Sequence, residues 1–533
     1  MKTLITVLLL HFFVFTVFAE GNITVNATSG STGTTYTTLK AAVDAINAGT
    51  HRGDITILVG GNTTETSAMT FTASGTGSAS YSSILLYPTA AGAVISGSVS
   101  GNMIAFNGAD RITFDGRVNQ SGSADLTITN TSTGSGASTI YFYGDAQNNT
   151  LKYCYIKGSS TNTSGGVIFF GTGTTAGNDS NLIDYCHIRE IGSNKPRFLI
   201  YSAGTAAKEN SNNTVSNSNI FCFGGGTTNA GIYLYSNSTS WIISGNSFYQ
   251  DDIISGSTAT SYGININTGS GHAVTGNYVG GSAPLCGGTP WTVSGTPVYC
   301  NLYAIYLNVG TASPSSVQGN TVKNITWQST NTGTHWIGIY ISAGNVNAGN
   351  VSGNTIGEST GNGSITIYNG ANYGNAIGIY STSTGTVNIY NNTIGSFTFS
   401  ASSYSSGFTG IKVTPSSSAG TTTLNNNLIG SLTTANSINM NTGASSGSQS
   451  VVGIMGYGFT SAGSLVISSN TIANMYNNSA SATDAGSSLM GMYITNAGTC
   501  TISQNTICDL SNLSKYTAGN NYGTIGIQMD DGQ

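Results

Sequence analysis

Asp251 and Asp252 stand side by side, and His272 follows twenty residues after the second of them. Two carboxylates on either side of a glycosidic bond, one protonating the leaving oxygen and the other acting as base or nucleophile, are what hydrolysis of that bond requires. A nearby imidazole assists proton transfer. The set competes with a plainer reading, a solvated acidic pair and an incidental histidine that share no site. Asp184, His187, Arg189 and Glu190 form a denser polar cluster, yet they occupy one short strand and its exit, where alternate side chains point to opposite faces. No spacing of cysteine or histidine matches a zinc site, and no serine or cysteine nucleophile signature occurs. No metal or cofactor is expected from this pattern.

Tyrosines in a recurring phrase suggest a different chemistry. The phrase reads Gly231-Ile232-Tyr233-Leu234, Gly263-Ile264-Asn265-Ile266, Ala304-Ile305-Tyr306-Leu307, Gly338-Ile339-Tyr340-Ile341 and Gly378-Ile379-Tyr380, and it continues at Gly410, Gly453, Gly491 and Gly526. If each Ile points inward, the next residue points out. The outward column is then Tyr233, Asn265, Tyr306, Tyr340, Tyr380, Lys412, Met455, Tyr493 and Gln528, without a carboxylate. Five of these, Tyr233, Tyr306, Tyr340, Tyr380 and Tyr493, offer flat apolar rings with polar tips, suited to stacking on sugars. A self-stacking ladder is the alternative.

Such a column needs an element that repeats it. A second phrase follows each first one by 14 to 17 residues and centres on Asn246, Asn277, Asn320, Asn354, Asn392, Asn427, Asn470 and Asn505, as in Ser352-Gly353-Asn354-Thr355-Ile356. Successive asparagines are 31, 43, 34, 38, 35, 43 and 35 residues apart, so the chain is a solenoid with an elastic repeat. Each unit holds short strands of period two, and helical periodicity is absent. The predicted fold is all-β, a right-handed parallel β-helix whose stacked coils enclose one core. The asparagines suit an inner ladder, because Asn tolerates the left-handed backbone of a bend and its amide can bond to the same Asn one coil away. Glycosylation at Asn-X-Ser/Thr sequons competes with that reading.

The ends and composition limit the rest. An apolar run from Leu4 to Phe18 behind Lys2, with Val17 and Ala19 before Glu20, reads as a secretory signal peptide over residues 1–19. Residues 20–60 form an N-terminal cap, with an amphipathic helix at about 38–48 carrying Leu39, Ala42, Val43 and Ile46 on one face, then the strand Asp54–Gly61. Residues 61–533 are the β-helix. Its last phrase, from Gly526, lacks an asparagine partner before Gln533, so further domains are expected beyond it. Only 6% of residues are charged, the formal net charge is −5, and nothing basic marks a nucleic-acid face. Of seven cysteines, Cys286 and Cys300 share a Gly/Pro-rich stretch and are the disulfide candidate. Cys154 and Cys186 occupy matching repeat positions and read as stacked core residues.

The helix, the Gly-ended strand after it and the segments Ile84–Tyr87, Ala93–Gly97 and Arg111–Gly116 resemble the start of the pectin-lyase-like β-helix superfamily. In overall style the chain also resembles large secreted surface β-helix proteins of Bacteroidetes-type bacteria. The first resemblance implies the fold over nearly the whole mature chain and leaves activity open, because the superfamily includes lyases, hydrolases and non-catalytic surface proteins. Asp251-Asp252 and Gly271-His272 resemble two of the four polygalacturonase-family motifs. That family's Asn-Thr-Asp motif has no counterpart around Asn229-Ala230-Gly231, and its Arg-Ile-Lys motif is missing. The expectation is a secreted or cell-surface, adhesin-like or glycan-binding solenoid without a membrane span in its mature chain. The alternative is a lyase or glycosidase for acidic polysaccharides, and only there does calcium enter.

Overall fold

The computed structural model describes residues 21–255, 258–295, 300–330, 333–369, 374–400, 406–415, 420–440, 449–458, 463–478, 488–495, 498–513 and 523–530; the signal peptide expected over residues 1–19 lies outside them. Each coil passes through three parallel sheets. In one coil Thr228–Ser236 lies in sheet 3, Ile242–Ser244 in sheet 1 and Ser247–Tyr249 in sheet 2, and Thr260–Ile266 then pairs with Thr228–Ser236 one coil on. The chain is an all-β parallel β-helix.

Both sequence phrases become rows of core side chains. In sheet 3, Ile232, Ile264, Ile305, Ile339, Ile379, Ile411 and Ile454 are register partners. In sheet 2, Phe248, Val279, Val322, Ile356, Ile394, Ile429 and Ile472 are. All are fully buried, and burying one such side chain contributes about 1.5–3 kcal/mol. The elastic repeat length is taken up between sheets 2 and 3. There, several coils add a second sheet 2 strand, such as Trp291–Ser294, Ile325–Ser329 and Ile365–Asn369.

The glycine that opens the sheet 3 phrase has a spatial cause. A Cβ on Gly378 would lie 2.6 Å from both the Gly410 carbonyl oxygen and Ile394 Cγ2, and one on Gly338 would lie 2.7 Å from the Gly378 oxygen and 2.9 Å from Ile356. The two phrases therefore interlock across the core, a missing side chain in sheet 3 facing the Ile of sheet 2. Ala304 replaces the glycine in the coil that carries the smaller Val322.

At the corner from sheet 1 to sheet 2 the asparagines stack. Asn354 Nδ2 donates to Asn392 Oδ1 at 2.8 Å and to the Val317 carbonyl at 2.9 Å, while its Oδ1 accepts from Asn320 N at 3.0 Å and Asn320 Nδ2 at 2.9 Å. The same pattern links Asn246, Asn277, Asn320, Asn392, Asn427, Asn470 and Asn505. Toward the N-terminus the row continues through Ser218, which donates its N–H to Asn246 Oδ1, and through the buried thiols Cys186 and Cys154. One expectation is corrected here. The left-handed residue is not the rung Asn but the residue before it, for example Asn217 (φ 49), Gly245 (φ 66), Gly319 (φ 61) and Asn426 (φ 54). The rung keeps ordinary backbone, so its amide can lie along the stack.

The helix Leu39–Asn47 lies over the first coil with Leu39, Ala42, Val43 and Ile46 wholly buried. Thr38 Oγ1 accepts from Ala41 N, and the buried Glu65 carboxylate accepts from Leu39 N and Lys40 N. A carboxylate there satisfies two orphan donors and complements the helix dipole. The strand Ile23–Gly30 pairs antiparallel with His51–Val59 and so covers the edge of sheet 1.

The disulfide between Cys286 and Cys300 is not made. Cys286 sits in the short turn Pro284–Cys286, its thiol directed at the Thr321 carbonyl oxygen 3.8 Å away, whereas Cys300 enters sheet 3 with its side chain in the central core.

Candidate functional site

Asp251, Asp252 and His272 do not assemble into one site. The two carboxylates follow the sheet 2 strand Ser247–Tyr249 on the surface, and His272 is 1% exposed at the corner leading into the sheet 1 strand Ala273–Thr275. That corner carries a second ladder. Asn149 Nδ2 donates to Asn181 Oδ1 and Asn181 Nδ2 to Asn213 Oδ1, both at 3.0 Å, and the next rungs are Trp241, His272 and Ser315. His272 Nδ1 accepts the Trp241 N–H at 3.2 Å, so the other nitrogen, Nε2, carries the proton and donates to the Thr268 carbonyl at 3.0 Å. It is a structural rung.

Burial holds that ring neutral, with its pKa lowered from 6.5 to about 4. The unfolded chain takes up the proton first, so the stability contributed by the neutral ring is complete above about pH 6.5, declines as pH falls and is lost below about pH 4. The loss should be about 3 kcal/mol. Denaturation midpoints at either end of that window should show this component in the wild type and not in His272→Asn, which keeps an acceptor at the rung. An unchanged pH dependence in the variant would contradict the assignment.

Where sheet 2 exits, a charged corner collects residues from three coils. Arg189 lies over the Phe221 ring at 4.4 Å, bonds Glu190 Oε1 and stands 3.4 Å from Asp251 Oδ2. Lys195 Nζ is 2.5 Å from Asp252 Oδ1 and 3.0 Å from Gln250 Oε1, and it lines an open depression of about 470 Å³ beside Ser159, Asn194 and Gly225. Cys222 Sγ lies 2.6 Å from Asp251 Oδ1. Both aspartates are thus occupied as ion-pair partners, while the His272 ring is held by Trp241 and Thr268.

The outward face of sheet 3 is the larger feature. Strand register places Tyr141, Phe169, Tyr201, Tyr233, Asn265, Tyr306, Tyr340 and Tyr380 in one column, followed by Lys412, Met455 and Tyr493. A parallel column adds Phe198, Tyr262 and Tyr303. Tyr201 meets Tyr233 edge to face at 5.6 Å, Tyr262 meets both Tyr303 and Tyr306, and Tyr340 stacks on Tyr380 at 4.8 Å. At Asn265, where the main column lacks a ring, Tyr262 fills the neighbouring position. From Tyr141 to Tyr380 there are seven steps of about 4.8 Å, so the strip runs roughly 34 Å along the axis.

Tyr201 and Phe198 form its buried floor; Tyr233, Tyr306, Tyr340 and Tyr380 are half-buried, and Tyr235 is 49% exposed. Burial raises the pKa of the Tyr303, Tyr306 and Tyr380 hydroxyls, so they remain hydrogen-bond donors at neutral pH. Arg197 lies over Phe198 at 5.2 Å, in the coil of Tyr201, and Lys412 over Tyr380 at 5.4 Å, beside the last ring of the strip.

No family model and no curated protein matches the chain. Among solved structures it is similar to PfbA, a surface adhesin of Streptococcus pneumoniae. One PfbA structure aligns at 11% identity and TM-score 0.30 over 74% of this chain and 87% of that one; another aligns at 12% and 0.28 over 92% and 95%. At those scores the likeness carries no argument, and the fold rests on the strand register above.

Tyr233, Tyr306, Tyr340 and Tyr380 belong to the strip, but Tyr493 stands beyond Lys412 and Met455 and interacts with Asp530 instead. Tyr141, Phe169, Tyr201, Tyr262 and Tyr303 are the rings that the Gly-Ile-Tyr phrase does not reveal. Earlier coils carry Ile140-Tyr141, Ile168-Phe169 and Ile200-Tyr201 without the leading glycine, so an aromatic after Ile at the repeat spacing is the signal that finds three of them.

Proposed function

We propose that this is an extracellular or cell-surface β-helix protein that holds a linear glycan along the outward face of sheet 3. The observation that carries the reading is the aromatic strip itself, whose column contains hydroxyls, an amide and a cation but no carboxylate. A step of about 4.8 Å per coil is close to the length one pyranose adds to an extended chain, so a glycan laid along the axis keeps step with the coils. Two cations beside the strip, Arg197 and Lys412, favour an acidic polymer, and the apolar leader Leu4–Phe18 supports secretion. An adhesin-like role and kinship with the pectin-lyase-like superfamily and with Bacteroidetes-type surface β-helices are the finer parts of this reading.

The test is affinity electrophoresis of the mature protein through gels containing polygalacturonate, alginate or a neutral glycan. At least one acidic polymer should retard the wild type. Removing two rings, Tyr306→Ala with Tyr340→Ala, should weaken retention roughly 30-fold, if two stacking contacts contribute about 1 kcal/mol each. Unchanged retention would reject the strip as the binding face. Release of unsaturated or reducing ends, with or without calcium, would replace binding by catalysis as the function.

A further inference from the structure

The charged corner holds a feature that neither the aromatic strip nor the ladders explain. Glu190 is 5% exposed, and although its Oε1 bonds Arg189, its Oε2 is buried without any hydrogen-bond partner. An unpaired carboxylate oxygen in such surroundings is costly unless something binds it. Cys222 and Asp251 approach from the next two coils, and one ligand atom from each of Glu190, Cys222 and Asp251 lies within 4.8 Å of the other two.

We propose that Glu190, Cys222 and Asp251 form a binding site for a divalent cation of the zinc class. The donor set decides the class: a soft thiolate beside two carboxylates suits zinc, while calcium and magnesium take oxygen donors alone. Bonds of about 2.3 Å to sulfur and about 2.0–2.2 Å to oxygen put tetrahedral ligand atoms roughly 3.5 Å apart. The Cys222–Asp251 contact, at 2.6 Å, must open by about 1 Å, and the Asp251 side chain, 41% exposed and held by a long 3.4 Å pair with Arg189, lies on the open side of the site. Cys222 gives its thiol proton to solvent, and the sulfur lone pair then goes to the ion.

Charge favours the same occupant. Among the described residues, the carboxylates of Glu190, Asp251 and Asp252 pair with Arg189 and Lys195 alone; a thiolate at Cys222 adds a second uncompensated negative charge, and one divalent ion neutralises both. Arg189 reaches Glu190 Oε1 and Asp251 Oδ2 and leaves Oε2 to the metal. The ligands lie 32 and 29 residues apart in the chain, on separate coils, which is why local spacing shows no metal site.

The experiment titrates Co²⁺ into the full chain after chelator dialysis. The expected result is one equivalent bound with a thiolate-to-cobalt charge-transfer band, displaced by Zn²⁺ and not by Ca²⁺. The band should vanish in Cys222→Ser, and Glu190→Gln should weaken binding by about tenfold or more. Absence of the band in the wild type would overturn the proposal without recourse to any variant. Persistence of the band in Cys222→Ser would overturn it too, assigning the metal to another cysteine.

Discussion

Asn354→Ala should lower stability by about 4 kcal/mol, although it removes only one amide from a solenoid of eight stacked asparagines. The change leaves the Asn320 N–H without the partner it now has at 3.0 Å and takes one of two donors from the Val317 carbonyl, which keeps the Gly349 N–H at 2.9 Å. The Asn320 N–H is buried between coils, where water cannot replace its bond; such an orphan costs about 1–3 kcal/mol, and each further bond of the Asn354 amide contributes about 0.5–1.5 kcal/mol. Asn354→Asp should not rescue the rung. It restores an acceptor, yet its side chain no longer donates to Asn392 Oδ1 or to the Val317 carbonyl, the main-chain N–H of residue 354 alone still reaching Asn392 Oδ1 at 3.0 Å, and it buries a charge. Because coils contact only their neighbours, amide hydrogen exchange should show the opening centred on the coils of Asn320, Asn354 and Asn392. A loss below about 1 kcal/mol would mean that the ladder is a by-product of backbone pairing and not a determinant of it.

Gly378→Val should be as costly, about 4 kcal/mol, for the opposite reason. Here the core lacks space: the new Cβ would meet a main-chain oxygen and Ile394 Cγ2 at 2.6 Å, and insertion into a packed core forces backbone shifts. The smaller Gly378→Ala should be partly restored by Ile394→Val, reproducing the natural Ala304 and Val322 pair, with a coupling of about 1 kcal/mol or more in a double-mutant cycle. Additive effects would show that the two phrases do not interlock.

Both predictions concern features whose presence is legible in the sequence and whose causes are not. Asn246 to Asn505 repeat conspicuously because the amide is the one side chain that donates and accepts along the stack. Ser218, Cys186 and Cys154 fill the same row with different chemistry, so the row's true length appears only in the register. His272 was open to misreading for that reason: a histidine twenty residues from two aspartates resembles catalysis until its neighbours in space prove to be Trp241 and Thr268. Asn149, Asn181 and Asn213 recur at 32 residues, a regularity masked by the richness of Asn around them. The pairing of Cys286 with Cys300 failed because nearness in a loop does not say which sheet each residue enters. Glu65 as the helix cap and Glu190 beside Cys222 are contacts between coils, and no local pattern encodes those.

The outward tyrosines illustrate a further limit. Period two identifies which face Tyr306 occupies, but the ring beside the gap at Asn265 is Tyr262, which meets Tyr306 across the two columns, a lateral contact that no single strand shows. Continuity, more than the number of tyrosines, is what suits a polymer.

Hydrogen–deuterium exchange with a bound acidic oligosaccharide tests that use of the face most directly. Protection should appear in the sheet 3 strands Thr228–Ser236, Thr260–Ile266, Asn301–Asn308, Gly333–Ala343 and Gly374–Ser381 and be lost in the variant lacking Tyr306 and Tyr340. Protection centred instead on sheet 1 or sheet 2 would contradict the assignment of the aromatic strip as the glycan-binding face.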